Sequence, residues 1–436
     1  MSQAAAPVPF VEAQREAALP VSGIAWLDAA RRDNLDAFLA AGLPDTRVEA
    51  FKYTALRVLG QRRYAVGDAA AATLAIDEAA LALPGVDGPR LVFVNGVLRA
   101  DLSSLDALPA GLSLQPLSRA LAGDAEPLRF ALARAYREAG DVFAQLNAAF
   151  AVEGVVLRVA PGARIERPVH LCFVGAASEG DAMWHLRQVV ELGEGASLSL
   201  VEHHLGHGEH AHLGTVVTDI SLGERARLQH VILQSATEGS VLVRRTGVQL
   251  RAGAHATLHA LELGGALSRH ELQADVAGDG ARLETRGAFV LHGRQHADTQ
   301  MRVRHTARNS SSEALWRGVA DGRARGVFRG AIYVAPGADG TDASLSNKNL
   351  LLSAHAEIDT KPELEIHADE VKAAHGATVG QLDPRALFYL RSRGIPEAQA
   401  RAMLTAAFCR AVLDDLPNET LHEHLSDLVA RHLPQA

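Results

Sequence analysis

The densest concentration of side chains able to hold a metal ion is Glu202-His203-His204-Leu205-Gly206-His207-Gly208-Glu209-His210-Ala211-His212, five imidazoles within ten residues. Near neutral pH an imidazole is an uncharged, borderline-soft donor, so His203, His204, His207, His210 and His212 are candidate ligands for zinc, nickel or copper. Against this stands the flexible Gly206-His207-Gly208 centre, with no cysteine to complete a fixed geometry. The competing reading is an exposed hairpin tip between strands 198–201 and 215–220 that binds metal only adventitiously.

His375 poses a different question. It lies in LEIHADEVKAAHGATVGQLD (364–383), just before Gly376-Ala377, a position that reads as a turn, exposed at an edge and open to a second chain. Taken alone, such a histidine is a turn or packing residue as readily as a ligand. Three of the chain's four lysines, Lys348, Lys361 and Lys372, fall in the same neighbourhood, in a sequence whose Lys and Arg together number 43. An ammonium is a compact charge on a flexible stem where a guanidinium is a planar fork. Cys172 and Cys409 are far apart, in no Cys-x-x-Cys or zinc-ligand spacing, and neither adjoins a histidine. Two such thiols fit a reducing compartment.

What is missing narrows the chemistry. No Gly-x-x-x-x-Gly-Lys-Ser/Thr occurs, nor any Gly-Lys pair, so ATP phosphates have no loop to cradle them and an ATP-driven step must belong to another protein. A Rossmann glycine fingerprint, Gly-x-Ser-x-Gly and His-Glu-x-x-His are also absent. The net charge of −8, without long Lys/Arg runs, argues against nucleic acid or an anionic membrane surface as partner. No run of about 18 uncharged apolar residues spans a bilayer, and the N-terminus lacks a basic segment followed by an apolar one, so a cytoplasmic location is expected.

These residues must be positioned by three kinds of segment. At 436 residues the chain has room for two or three domains. Residues 1–150 read as mainly helical: Leu35, Phe38 and Leu39 recur at helical steps that stop at Gly42-Leu43-Pro44, and helical spacing returns over 128–150 after a short β segment near 90–100. From 151 to 383 the texture is short β-branched or alternating runs between Gly, Asp, Asn and Pro turns. An Ala-x-(Leu/Ile/Val) motif recurs there from Ala163, Ala196, Ala226, Ala256, Ala281, Ala343 and Ala377, at steps near 30 residues with one copy eroded between 281 and 343. A fixed period of turn and strand predicts stacked coils, a β-solenoid, over the rival β-sandwich. Residues 384–436 are helical, with one stripe at Ala400, Met403, Leu404, Ala407, Phe408, Ala411 and Val412 and a final helix capped by Asn418. The stripe is placed to cap the last coil or to dock a partner helix.

Longer stretches carry a family resemblance: EAFKYTAL (49–56), LVFVNG (91–96), LNAAF (146–150), VEHHLG (201–206), TVVTDISLGERARLQHVILQ (215–234), FRGAIYV (328–334), residues 347–383 and LFYLRSRGIPEAQAR (387–401). Together they resemble the SufB/SufD family of the SUF iron–sulfur cluster assembly system, on its SufD side. The resemblance implies a right-handed parallel β-helix flanked by helical N- and C-terminal regions. It implies a non-catalytic scaffold that pairs with SufB through the β-helix and presents residues 384–436 to the SufC ATPase, with homodimer and monomer both open for the isolated subunit. Phe388, Tyr389, Arg391, Arg393, Met403 and Phe408 are the residues expected at that partner contact. His375 is implied to be an iron or Fe–S ligand at the SufB junction, sharing a transient cluster, with no cofactor held tightly by the isolated subunit. Many relatives carry a cysteine where Ala373 stands, so thiolate ligands would have to come from SufB. Two readings from other classes compete: a β-helix enzyme acting on polysaccharide, which needs a groove of paired carboxylates, and a histidine-rich metal store built on residues 203–212.

Overall fold

The computed structural model describes residues 8–433. Strict alternation makes the β region: along Ser197–His207, Leu198 and Leu200 turn inward while Val201 and His203 turn outward. Each coil contributes one strand to each of two ten-stranded sheets, and apart from the pairings Leu112–Pro116 with Glu153–Val159 and Arg90–Val94 with Val97–Leu98, neighbours run parallel. Residues 197, 227, 255, 282, 311, 342 and 372 stack in register, so a coil takes 27 to 31 residues. This is the expected solenoid, with about eight coils.

The corner chemistry explains the repeat and corrects part of it. At one corner of each coil a residue with positive φ, such as Gly195 (64°) or Asn309 (54°), precedes a small buried residue, and its N–H bonds to the next coil's carbonyl at 2.7–3.0 Å from Gly162 through Gly340. The stacked small residues are Ala196, Ala226, Ala254, Ala281, Ser310 and Thr341, all nearly inaccessible. The eroded copy is therefore Ser310. Ala256 and Ala343 lie two residues past their corners, and Ala377 lies inside a strand. Between corners the lumen fills by shape: Gly287 faces Trp316, whose indole occupies the space a Cβ would need.

The flanking segments cover the solenoid unevenly. Residues before 150 are helical at Pro9–Glu16 and Ala25–Ala41, the latter stopped by Gly42 at φ 67°, but they also supply strands Arg90–Val94 and Leu112–Pro116 to the two sheets. The helical expectation over 128–150 holds for Arg129–Leu132 and Val142–Phe150 and fails between them. There Tyr136 is drawn into cover, ringed by Arg134, Arg187 and Arg245 with guanidinium carbons 5.1–5.7 Å from its centroid.

Three helices close the chain, Pro384–Ser392, Glu397–Arg410 and Glu419–His432. Asn418 caps the last one as expected, accepting from Leu421 N at 3.0 Å. Leu421, Leu425, Val429 and Leu433 pack on Val231, Leu233, Leu261 and Val290, the outward face of one sheet, each burial contributing about 1.5–3 kcal/mol. The preceding helix buries Ala400, Thr405, Ala406 and Cys409 and leaves Met403 and Ala407 exposed, so the inward stripe keeps Ala400 and Val412 from the expected one and is rotated from it in between. The helices lie along the flank and do not cap the last coil.

Candidate functional site

The uncovered end of the solenoid is the first candidate. Strands Glu357–Ile366 and Lys372–Gly380 are the terminal members of their sheets, and most of their residues are half-buried or exposed. His375 pairs in register with Leu345, an inward core residue, so it continues the lumen-facing row across the open mouth. It sits mid-strand and exposed, not at a turn; Gly376 takes ordinary extended backbone. Beneath it Asn349 donates to Asn347 Oδ1 at 2.6 Å and to the Thr378 carbonyl at 3.0 Å, while Thr360 donates to Asn347 Oδ1 at 2.7 Å. This lattice of amides and hydroxyls ties both strands of the last coil to the coil below. Lys361 meets Glu49 and Glu363, fastening the N-terminal layer to the same coil, and it holds the Glu49 carboxyl below its ordinary range. Lys348 and Lys372 are exposed.

The five histidines of residues 203–212 do not converge. Strand Ser197–His207 runs through the first three and pairs with Val169–Ala176 and Arg227–Ser235, while Leu213–Leu222 belongs to the other sheet, so no hairpin tip forms. His204 turns inward, stacked on Phe173 at 4.8 Å and 3.3 Å from Glu202. His203 turns outward, and His207 is exposed. His212 accepts from Ala182 N and donates to the Ala176 carbonyl, both at 2.9 Å, so both its nitrogens are spent; His210 stacks on it at 4.4 Å. The sequence signal, five imidazoles close together, says nothing of this dispersal because a strand sends successive side chains to opposite faces.

Two buried polar clusters follow from that alternation. Inside the lumen Glu202 takes His230 at 2.9 Å, and the neighbouring coils add Arg244 paired with Glu262 beside His270. Burial pushes the Glu202 carboxyl up, but His230 and His204 outweigh it and hold it below the ordinary range. On the outward face, His170 and Cys172 project from one strand and His203 lies directly across from Cys172. His170 Nε2 is 3.1 Å from Cys172 Sγ, the His170 and His203 rings stack at 5.8 Å, and donor atoms of all three lie within 4.8 Å. Burial pushes the thiol up to about 12 and the imidazoles down to about 4 and about 3. Sequence reading missed this group because it looked for adjacent or metal-finger spacings; His170-x-Cys172 inside an apolar strand was the available signal, since residues two apart share a face.

The C-terminal candidates divide. Phe388 and Tyr389 are 72% and 57% exposed on a helix with no buried residue, with Arg391, Arg393 and Met403 also exposed nearby. Phe408 instead packs inward, with Arg317 5.4 Å above its ring. It is removed from the exposed surface because it fills the gap between its helix and the sheet.

Comparison with known proteins places these features. Residues 173–408 match the family described as SUF system FeS cluster assembly, SufBD core domain, and residues 12–171 match the SufBD protein N-terminal region. An iron–sulfur cluster assembly SufBD family protein of Synechocystis is 31% identical over 399 residues, 89% of this chain and 87% of the relative. Iron–sulfur cluster assembly protein SufD of Escherichia coli is 30% identical over 405 residues, 92% of each chain. SufD of Bacillus subtilis is 27% identical over 290 residues, covering 66% of this chain and 65% of that one.

Proposed function

We propose, since this chain belongs to the SufBD family of iron–sulfur cluster assembly proteins, that it is a non-catalytic scaffold subunit whose open last coil pairs with a sister subunit, SufB. The observation that carries this reading is the bare edge. Both terminal strands keep a row of free backbone groups beside an open lumen, while helices cover the flank. An exposed parallel edge is a template for another chain, and a second solenoid can extend both sheets by strand addition. The seam then carries His375, with Ala373 two residues earlier on the same row.

His375 acts there as a ligand for the iron or cluster that is the complex's cargo. An imidazole binds iron as a neutral, exchangeable donor. The described residues place no group of three His, Cys, Asp or Glu donors at this edge, so the remaining ligands, thiolates included, come from the sister subunit. The exposed aromatic face at Phe388 and Tyr389 supports a second contact, with the SufC ATPase. ATP-driven movement of SufC pulls on the C-terminal helices and opens the seam, a rigid-body coupling of the kind many switching proteins use. No helix among the described residues is long and apolar enough to cross a membrane, which agrees with a cytoplasmic site of action.

Co-expression with SufB and SufC followed by anaerobic purification tests this. The expected result is a ternary complex carrying a cluster chromophore, and a His375→Ala complex that assembles equally well with several-fold less cluster iron. Failure to co-purify with SufB, or an unchanged cluster yield in the variant, contradicts the reading.

A further inference from the structure

The outward cluster on the early coils has no part in that seam. Six strand steps separate Ser197–His207 from Lys372–Gly380 in the same sheet, a distance of about 29 Å at about 4.8 Å per step. We propose that His170, Cys172 and His203 form a separate metal site that takes one borderline-soft divalent ion, Zn2+ or Fe2+, through one thiolate sulfur and two imidazole nitrogens.

The backbone makes the group without special loops. Residues 170 and 172 share a face because strand side chains alternate, and the parallel register sets Cys172 opposite His203. All three side chains are buried, His170 at 2%, Cys172 at 0% and His203 at 5% exposure. They lie beside an apolar cover that includes Ala71, Leu81, Val92 and Leu205. Donors in such a place are not the adventitious ligands that a surface histidine run offers. His203 Nδ1 is buried with no hydrogen-bond partner, a state that costs about 1–3 kcal/mol and that an ion coordinated through this nitrogen would relieve.

The donor set selects the ion. Thiolate and imidazole together suit zinc or iron over magnesium or calcium, which prefer oxygen. Sulfur and nitrogen ligands at about 2.3 and 2.0–2.1 Å from a tetrahedral ion require only that atoms already within 4.8 Å draw together. On binding, the Cys172 S–H bond breaks, its electron pair goes to the metal, and the proton leaves to solvent. One thiolate against a divalent ion leaves a single net positive charge. The Arg90 guanidinium, whose charge reaches this thiol, is engaged by the Leu102 carbonyl at 3.1 Å and by Glu78 at 3.9 Å. Three protein donors leave a fourth tetrahedral position for water or an incoming ligand, the arrangement found where a metal is used or exchanged and not merely locked in place.

Titration of the chelator-stripped full-length chain with Co2+ tests the site. The expected result is one equivalent bound, with a thiolate-to-cobalt absorption in the near ultraviolet that Zn2+ abolishes by displacement. Cys172→Ser removes the band, while Cys409→Ala and His207→Ala keep it. Should Cys172→Ser fail to fold, X-ray absorption of the zinc-loaded wild-type chain reads the same point, with one sulfur and at least two nitrogens around the ion. Absence of a band at stoichiometric Co2+, its survival in folded Cys172→Ser, or a sulfur-free shell overturns the proposal. None of these outcomes bears on the seam at His375, which lies on another coil.

Discussion

At the scale of single residues the molecule is governed by imidazoles kept uncharged. Burial, the largest cause in each case, holds His185 and His270 to about 3 and His259, His296 and His305 to about 4. In the unfolded chain each protonates near 6.5. Below that pH the unfolded state binds protons the folded state refuses, so stability falls as pH drops from about 6.5 towards 4 and is insensitive to these groups above 7. By pH 5 each residue removes about 2 kcal/mol, so five together rival the whole stability of a typical domain, about 5–15 kcal/mol. Thermal melts across pH 4.5–8 should show a plateau above 7 and a steep fall below 6; a flat profile to pH 5 contradicts neutral burial. Sequence could show twenty histidines but not which were inside, because a histidine on an alternating strand faces core or solvent according to its parity alone. The exposure of His375 was expected from a turn at Gly376-Ala377, and it arises instead because its strand is the terminal one of its sheet. Its mid-strand position was not legible, because a glycine after a histidine reads as a turn, whereas here the following Gly376 lies on an edge with open space around it.

Elements were more legible than residues where a local rule set them. Gly42 stops its helix and Asn418 caps another, both by backbone chemistry within a few residues. The coil period was legible because each corner needs a positive φ followed by a small side chain. Two copies slipped by two residues because Ala256-Thr257-Leu258 and Ala343-Ser344-Leu345 satisfy the Ala-x-Leu pattern inside the strand, past the positive-φ corner at Gly253 and Gly340. The segment 133–141 was not legible: arginines distant in sequence pull Tyr136 out of a helical pattern. For the C-terminal helices the account separates anchoring from presentation. Leu425→Ala should lower stability by about 2–5 kcal/mol, the cost of a cavity against the sheet. Phe388→Ala, on the exposed first helix, should change it by less than about 0.5 kcal/mol while weakening retention of SufC. Denaturant unfolding of both variants checks this, and a large loss for Phe388→Ala would show that its helix is packed, not displayed.

At the scale of the whole molecule the solenoid is asymmetric. Its first coils are covered by N-terminal strands and helices and its flank by the C-terminal helices, while among the described residues no strand or helix lies across the end of its last coil, which the N-terminal region touches from the side at Glu49–Lys361. That asymmetry follows from a sequence that repeats a coil for some 230 residues and then turns the C-terminal helices back along the flank. The family expectation of a β-helix between helical regions therefore held, and of the two roles open to the C-terminal stripe, capping the last coil or docking a partner helix, the first is not the one it takes. Hydrogen exchange of the backbone amides in residues 357–380, with and without SufB, is the most direct measurement of what the open end is for. Pairing of the two solenoids predicts fast exchange at these terminal strands in the free chain and strong slowing in the complex. A complex that forms while these amides stay fast would place the contact elsewhere and contradict the account.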